Sequence, residues 1–333
     1  MGEPSGGSGA LGGAQRLKAV LRPVMGVLAA VFVAVAVWDL KRRWQPGQVQ
    51  IDYGLAALSM IPLAAGCIFL GLGWVWLMSR MSGVKIPVLP AMAIHLESQA
   101  ARYTPGKVGL PLVRMLGAER LGTTSRVAAS SVFIEVLCFV ATGGVSGFLV
   151  LMATGGMLSR ITEVLGVLGL VVLIGFVVAL ALLLLVDRRA IPQKLRDVLQ
   201  IDGEGPLVPL GLPLIHAGYW LTWAAHGYIT SRAVHASAGV AIGSMGFYVL
   251  APVMGFLALA APGGLGVREA VVSIALSGPL GPAAALYAAL LSRGTSVLVD
   301  FGVWMAFRPF RDIGVRGPGR GVPRSTGTNT PTS

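Results

Sequence analysis

Residues 165–186 read LGVLGLVVLIGFVVALALLLLV, an uninterrupted run of 22 residues without a charged side chain. Coiled into an α-helix, a run of this length is about 33 Å long, and the hydrocarbon core of a bilayer is about 30 Å thick. Runs this long and this apolar are typical of transmembrane helices. The run therefore predicts one membrane-spanning helix.

Six further apolar runs are long enough to cross the same thickness. They lie near Val20–Leu40, Tyr53–Met78, Val127–Ala153, Leu207–Thr230, Val240–Ala261 and Pro282–Phe307. Composition agrees, because 55% of the 333 residues are hydrophobic and only 12% are charged, about half the charged fraction of a soluble domain. We therefore predict an all-α, polytopic integral membrane bundle of about seven or eight transmembrane helices. A cleavable signal peptide is the alternative for the first run, which follows a short basic segment.

The formal net charge of +12 does not indicate a nucleic-acid-binding protein, because the basic residues are scattered through loops and the tail. They are better interpreted as topology signals and as contacts to anionic lipid. We predict a Gly/Ser-rich disordered lead at 1–15, a transmembrane domain at 16–307 and a disordered basic tail at 308–333. Cys67 and Cys138 lie in apolar runs and predict neither a disulfide nor a metal site. No cofactor is expected.

Basic residues also orient the bundle, since loops rich in Lys and Arg face the cytoplasm. They concentrate between the second and third spans, after the fourth span and in the tail, whereas Lys41–Arg43 lie on the other side and argue weakly against this orientation. With both termini cytoplasmic, the number of crossings must be even. We therefore expect an eighth crossing, at Gly263–Ser277 or else at Ile86–Tyr103, and a location in the plasma membrane.

Two semi-apolar segments rich in Gly and Pro interrupt the regular spans. The first contains RYTPGKVG at 102–109, and the second reads PGGLGVRE at 262–269. Pro and Gly break helices, and the backbone groups freed by a break need protein or water partners inside a membrane. In the second segment a glycine-rich turn opens a helix, whose free N–H groups suit an anion such as a lipid phosphate. We therefore predict two interrupted or re-entrant segments.

The two segments share a Pro-Gly start, a later Gly and a following Arg, seen in PGKVGLPLVR at 105–114 and PGGLGVRE at 262–269. One interpretation is an internal duplication in which two interrupted helices meet near a central site, as in transporters. The other is that Pro-Gly pairs merely punctuate loops. The sequence leaves both open.

Ionisable residues within the spans indicate a functional interior, because each costs a few kcal/mol at the bilayer centre unless it is paired or hydrated. The clearest are Glu135, Arg293 and Asp300. Arg293 and Asp300 are seven residues apart and so share a helix face at about 10 Å separation, which suits one polar cavity; structural pairing with a neighbouring helix is the alternative. For His216 and His226, interfacial hydrogen bonding is favoured over a proton relay.

The motifs carry a family resemblance over nearly the whole bundle. R-Y-x-P-G-K-V with a later Arg, an acidic residue in the next span, P-G-G-L-G-V-R-E and an Arg in the last span resemble the flippase-like transmembrane region of the lysylphosphatidylglycerol synthase family. The matching positions are Arg102, Pro105, Gly106, Lys107, Arg114, Glu135, Pro262–Glu269 and Arg293. Two positions depart from the pattern: Thr104 replaces an apolar residue, and Val136 replaces an Arg that would be the ion-pair partner of Glu135.

The resemblance implies a lipid-translocating or lipid-binding membrane domain that is not itself an enzyme. Its expected partner is a membrane phospholipid or a lipid-linked substrate with an anionic headgroup, and no ATP-binding motif is present. A membrane-embedded transferase with Glu135 or Glu269 as base, and a scaffold for a membrane enzyme, are the alternatives. The expected substrate-binding residues are Arg102, Lys107, Arg114, Glu135, Gly263, Gly264, Gly266, Arg268, Glu269, Arg293 and Asp300. The sequence leaves the oligomeric state and the lipid open.

Overall fold

The computed structural model describes residues 49–103, 108–155, 166–199, 204–258 and 264–313. Regular structure in these ranges is helical, apart from one isolated bridge between Asp187 and Pro206. The helices are α1 (Tyr53–Leu58), α2 (Met60–Ser82), α3 (Val88–Ala101), α4 (Gly109–Gly117), α5 (Ser125–Ala153), α6 (Gly166–Leu185), α7 (Gln193–Leu199), α8 (Gly211–Ala233), α9 (Ala238–Leu257), α10 (Val267–Leu280) and α11 (Pro282–Phe307). The all-α fold is confirmed.

Four helical stretches in the described ranges are long and apolar enough to cross a membrane. They are Tyr53–Ser82, Ser125–Ala153, Ala238–Leu257 and Pro282–Asp312, each matching a predicted apolar run. The run at 165–186 forms α6, and the run at 207–230 forms most of α8. The protein is thus a helical membrane bundle. The predicted first span, Val20–Leu40, lies outside the described residues.

The run predicted at Leu207–Thr230 begins its helix later than expected, at Gly211. The backbone N–H of Leu207 donates to the carbonyl of Val186, and that of Val208 to the carbonyl of Leu183. These bonds satisfy donors at the start of the run and carbonyls at the end of α6. The first apolar residues of this run therefore form a tight connection instead of a helical turn.

Helix α8 packs against α2, α5 and α9 and forms the centre of the bundle. Its fully buried Trp220 lies with its ring centroid 4.5 Å from that of Phe139 and 4.9 Å from that of Tyr219. The indole N–H donates to the carbonyl of Phe139 at 3.2 Å, so the buried polar atom is satisfied. This aromatic cluster forms one wall of the cavity described below.

Both Pro-Gly segments interrupt helices, as the sequence predicts. Helix α3 ends at Ala101 and α4 begins at Gly109, while α9 ends at Leu257 and α10 begins at Val267. Helices α3 and α10 each have 14 residues, or about 21 Å, which is shorter than the hydrocarbon core. The candidates for an eighth crossing are thus helical but too short to span alone, and the eighth crossing stays a prediction.

The predicted tail begins at residue 308, but its first residues are ordered. Arg308–Asp312 form a 3₁₀-helix that continues from α11. Arg311 pairs with Glu97 of α3 at 2.6 Å, and Arg120 pairs with Asp312. These ion pairs tie the end of α11 to the first interrupted segment. Residues 314–333 lie outside the described ranges.

Candidate functional site

The first interrupted segment delivers two side chains to one carboxylate on α11. Arg102 Nη2 and the Tyr103 hydroxyl each donate to Asp300 Oδ2 at 2.5 Å, and Arg102 Nη1 donates to Gln99 Oε1 at 3.0 Å. Tyr103 is 1% exposed and the side chains of Asp300 and Arg102 are 7% and 16% exposed. A buried charge persists only when it is paired and hydrogen-bonded. Asp300 therefore anchors the segment that follows α3.

The second interrupted segment places its charges at the start of α10. Gly266, the residue before the helix, has no side chain to cap it. The Arg268 guanidinium lies 4.8 Å from the ring centroid of Trp223, a geometry that favours a cation over an aromatic face. Glu269 forms an ion pair with Arg293 of α11, at 3.5 Å between Oε1 and Nε. Arg268 and Arg293 are both buried.

Tyr103 links the two groups. Its hydroxyl donates to Asp300, and its ring lies beneath Arg293, whose guanidinium carbon is 5.3 Å from the ring centroid. Tyr103 also packs with Leu265 from the second segment. The two interrupted segments therefore meet on one face of α11, which is the arrangement expected of an internal pair of broken helices.

A cavity lies where the segments meet, which we call the arginine cavity. The free space between its walls is approximately 400 Å³ when the solvent open to it is included, and its walls include Arg102, Tyr219, Trp223, Phe256 and Arg268. One arginine comes from each interrupted segment, and the aromatic wall comes from α5, α8 and α9. A concave site of apolar walls with a few convergent polar groups is the usual form of a ligand site.

The charges that line this cavity are positive. Among the described residues of its wall, Arg102 and Arg268 are cationic and none is acidic, and Arg102 also pairs with Asp300. Because positive charge attracts negative charge strongly away from water, the cavity is suited electrostatically to an anionic ligand.

Arg114 and Glu135 lie in a neighbouring buried group instead of in the cavity wall. Arg114, 1% exposed, pairs with Glu135 and donates from Nε to Ser98 Oγ at 2.9 Å, while its Nη2 is 3.0 Å from His95 Nδ1. Its guanidinium also lies 4.7 Å from the Trp74 ring centroid. The expectation that Val136 leaves Glu135 without an ion-pair partner is wrong, because Arg114 of the adjacent helix α4 pairs with it.

The predicted site residues therefore divide into groups. One group lies together around α11 and consists of Arg102, Arg268, Glu269, Arg293 and Asp300. Arg114 and Glu135 are connected to this group through His95 and Gln99, whose side-chain nitrogens are 3.4 Å apart. Gly264 and Gly266 shape the turn before α10. Lys107 and Gly263 lie outside the described residues.

Sequence reasoning missed several residues of the site. Tyr103 stands inside the first motif and Trp223 lies within an apolar run, and neither pattern singles out these residues as part of a site. His216 and His226 were also expected at the interface, but both are fully buried. Gly255 of α9 gave no signal at all, although a side chain there would collide with Arg268.

Alanine substitution can test whether the turn before α10 requires glycine. Gly264 and Gly266 have φ of +74° and +79°, and a Cβ on Gly264 would lie 2.7 Å from the Gly255 Cα, whereas a Cβ on Gly266 would meet open space. Gly266→Ala should therefore lower the free energy of unfolding by about 1–2 kcal/mol, the cost of a left-handed backbone. Gly264→Ala should cost about 1–3 kcal/mol more, because it also overpacks. Denaturant unfolding in detergent measures both, and equal losses would contradict the close approach to Gly255.

The apolar helices, the interrupted segments and the buried charges define a polytopic integral membrane protein with a polar interior. The family described as Lysylphosphatidylglycerol synthase TM region matches residues 20–303. The chain belongs to this family, as the resemblance of its motifs predicted. No protein of curated function matches the chain.

Proposed function

We propose that the protein binds a lipid with an anionic headgroup in the arginine cavity and moves it across the bilayer. The observation that carries this proposal is that Arg102 and Arg268, one from each interrupted segment, line one cavity between aromatic walls. Broken helices that meet at a central site are a recurring architecture of transporters. The membership of the family supports a membrane-embedded role of this kind.

The chemistry of the cavity suits a phosphate ester. A guanidinium presents a planar fork that grips phosphate through two hydrogen bonds, and the positive end of α10 adds to the field at Arg268. The rings of Tyr219, Trp223 and Phe256 offer an apolar surface to the adjoining part of the lipid. The negative charge of a phosphodiester would be favoured beside Arg102 and Arg268.

Translocation can be tested by reconstitution into vesicles. Fluorescent phosphatidylglycerol is placed in both leaflets of vesicles that contain the protein, and an impermeant reductant is then added outside. The fraction of fluorescence lost should exceed the half that comes from the outer leaflet. The sequence has no ATP-binding motif, so movement should need no nucleotide. If only the fluorescence of the outer leaflet is lost although the protein still binds anionic lipid, the protein binds lipid without translocating it.

A membrane-embedded transferase is the second candidate. Among the described residues, no hydrogen-bond donor reaches either carboxylate oxygen of Glu269, which lies beside two arginines in a cavity wall. A carboxylate in this position has the acceptor capacity that a general base needs. Chemical turnover of a lipid by the purified protein would favour this candidate over transport.

We also propose that both termini face the cytoplasm of a cell whose plasma membrane holds the protein. The basic tail and the basic loop between α2 and α5 support this orientation. A cysteine introduced as Ser325→Cys should resist an impermeant thiol reagent in intact cells and react after permeabilisation. Ready modification in intact cells would contradict an even number of crossings.

A further inference from the structure

A second, smaller cavity adjoins the arginine cavity, and we call it the glutamate cavity. Arg268 lines both cavities and so stands at the boundary between them. The polar wall of the glutamate cavity also includes Glu269, Ser292 and Arg293. Its free space admits about one water-sized group. The glutamate cavity is therefore too small for a lipid headgroup, but it has room for a water molecule beside a titratable side chain.

Glu269 is a buried carboxylate that can take up a proton without losing a hydrogen bond from a described residue. Neither of its oxygens accepts a hydrogen bond from the described part of the chain, although Arg293 forms an ion pair with Oε1 at 3.5 Å. Asp300 differs, because its Oδ2 accepts from both Arg102 and Tyr103. Hydrogen bonds to a carboxylate favour its charged form. A proton that enters the site is therefore accommodated at Glu269 more easily than at Asp300.

Ser292 offers an acceptor to a protonated Glu269. His226 Nδ1 lies 3.0 Å from the carbonyl oxygen of Ser59, which can only accept, so Nδ1 carries the proton of the neutral ring. The other nitrogen, Nε2, is then an acceptor, and it lies 2.8 Å from Ser292 Oγ. Ser292 therefore donates to His226, and its oxygen keeps only lone pairs for the glutamate cavity. A carboxyl O–H of Glu269 can be accepted there, directly or through a water molecule in the cavity.

The other titratable and charged groups around Glu269 come from its own helix and from its neighbours. Among the described residues they are Arg268 of α10, Arg293 of α11, Tyr248 of α9 and, behind the wall, His226 of α8. A tyrosine hydroxyl and a neutral imidazole bring no charge. The two guanidiniums favour the charged form of Glu269 as long as no anion lies beside them.

An anion bound at Arg268 changes this balance. Arg268 and Glu269 are adjacent on α10 and share the wall of the glutamate cavity, so a phosphate held by Arg268 brings a second negative charge close to the carboxylate. Like charges at short range repel, and a nearby anion favours the protonated form of a carboxyl group. We propose that Glu269 takes up a proton when the arginine cavity binds an anionic headgroup, so that lipid anion and proton enter the site together. This inference rests on the proposed function.

Binding of phosphatidylglycerol to the purified full-length protein at different pH values tests this coupling. The phosphodiester keeps its single charge over the range, so a change in affinity reports a group of the protein. Coupling between two ligands is reciprocal, so a lipid that draws a proton to the site must bind more tightly when protons are abundant. Affinity should rise about tenfold as the pH falls from about 8 to about 5. Calorimetry in two buffers with different heats of ionisation counts the protons taken up on binding and needs no variant.

Substitution then assigns the proton to Glu269. Glu269→Gln has a neutral side chain of the same size, so its affinity for phosphatidylglycerol should not change with pH and its binding should take up no proton. Glu269→Asp keeps a carboxyl group and should keep the pH dependence. Glu97→Gln is the matched control, because Glu97 also pairs with an arginine but lines neither cavity. Its pH profile should match that of the wild type.

The outcomes separate this inference from the proposed function. If phosphatidylglycerol binds the wild type more tightly than phosphatidylcholine but equally well at every pH, proton coupling is overturned and the proposed function stands. If Glu269→Gln keeps the pH profile of the wild type, another group carries the proton and the assignment to Glu269 is overturned. Failure of phosphatidylglycerol to exceed phosphatidylcholine at any pH would overturn both.

Discussion

Replacement of Arg268 by Gln should weaken binding of phosphatidylglycerol to the purified protein by about 10- to 100-fold. A hydrogen bond to a charged group contributes about 1.5–3 kcal/mol, and about 1.4 kcal/mol corresponds to a factor of ten in affinity. Gln keeps much of the bulk of the side chain but removes the charge. Arg268→Lys keeps the charge but loses the planar fork, so we expect a smaller loss, of about three- to tenfold.

A matched control separates the site from general electrostatics. Arg311 also forms a partly buried ion pair, with Glu97, but lies at the end of α11 and lines neither described cavity. Arg311→Gln removes the same charge and should leave lipid affinity within about twofold, since charge alone at a distance is screened. If the wild type and Arg268→Gln bind phosphatidylglycerol equally, and the variant keeps the membrane orientation of the wild type, Arg268 is not part of the site.

Replacement of Glu135 by Ala should destabilise the protein by about 3–5 kcal/mol, the usual cost of removing one partner of a buried ion pair. Arg114, 1% exposed, would keep its charge in the interior of the bundle without its carboxylate. The effect should appear as a lower free energy of unfolding in detergent. It should not depend on added lipid, because neither residue lines the arginine cavity.

Glu97→Ala provides the comparison for this substitution. Glu97 also pairs with an arginine, but the side chains of Glu97 and Arg311 are 22% and 19% exposed. Pairs that water can reach contribute about 0–1 kcal/mol, so the loss should be that small. A loss for Glu135→Ala no larger than that for Glu97→Ala would show that the Arg114–Glu135 group is not a structural anchor.

Local features of this fold could be predicted from the sequence because they depend on neighbouring residues. The apolar run at 165–186 contains α6, which ends one residue before the end of the run. Helices α3 and α9 end before the two Pro-Gly motifs, and α4 and α10 begin after them, as the helix-breaking character of Pro and Gly predicts. Positive φ at Gly264 and Gly266 follows from the same property.

Long-range pairs could not be predicted in the same way. Arg102 and Asp300 are 198 residues apart, and His226 contacts Ser59 across 167 residues. The hydrophobic periodicity of one helix does not indicate which residues of a distant helix will lie beside it. The wrong expectation at Glu135 has the same cause, because the motif indicates a partner at the adjacent position 136, whereas tertiary packing brings Arg114 from another helix.

Residue type alone also does not distinguish side chains at the membrane–water interface from side chains buried inside the helical bundle. The aromatic residues and histidines of α8 have the composition of an interfacial belt, yet Trp220, Trp223 and His226 are buried at the centre of the bundle. The start of the tail is a second example: its basic composition predicts disorder, but Arg308–Asp312 form a 3₁₀-helix in which Arg311 pairs with Glu97. In each case the decisive contacts come from other helices.

An experimental structure of the protein in a bilayer disc containing phosphatidylglycerol tests the central claim most directly. We predict a lipid phosphate in the arginine cavity, within hydrogen-bond distance of Arg268 and of at least one of Arg102 and Arg293, with the adjoining part of the lipid against Trp223. Phosphatidylglycerol seen only on the outer, membrane-facing surface of the bundle, with the arginine cavity closed by protein side chains, would contradict the claim.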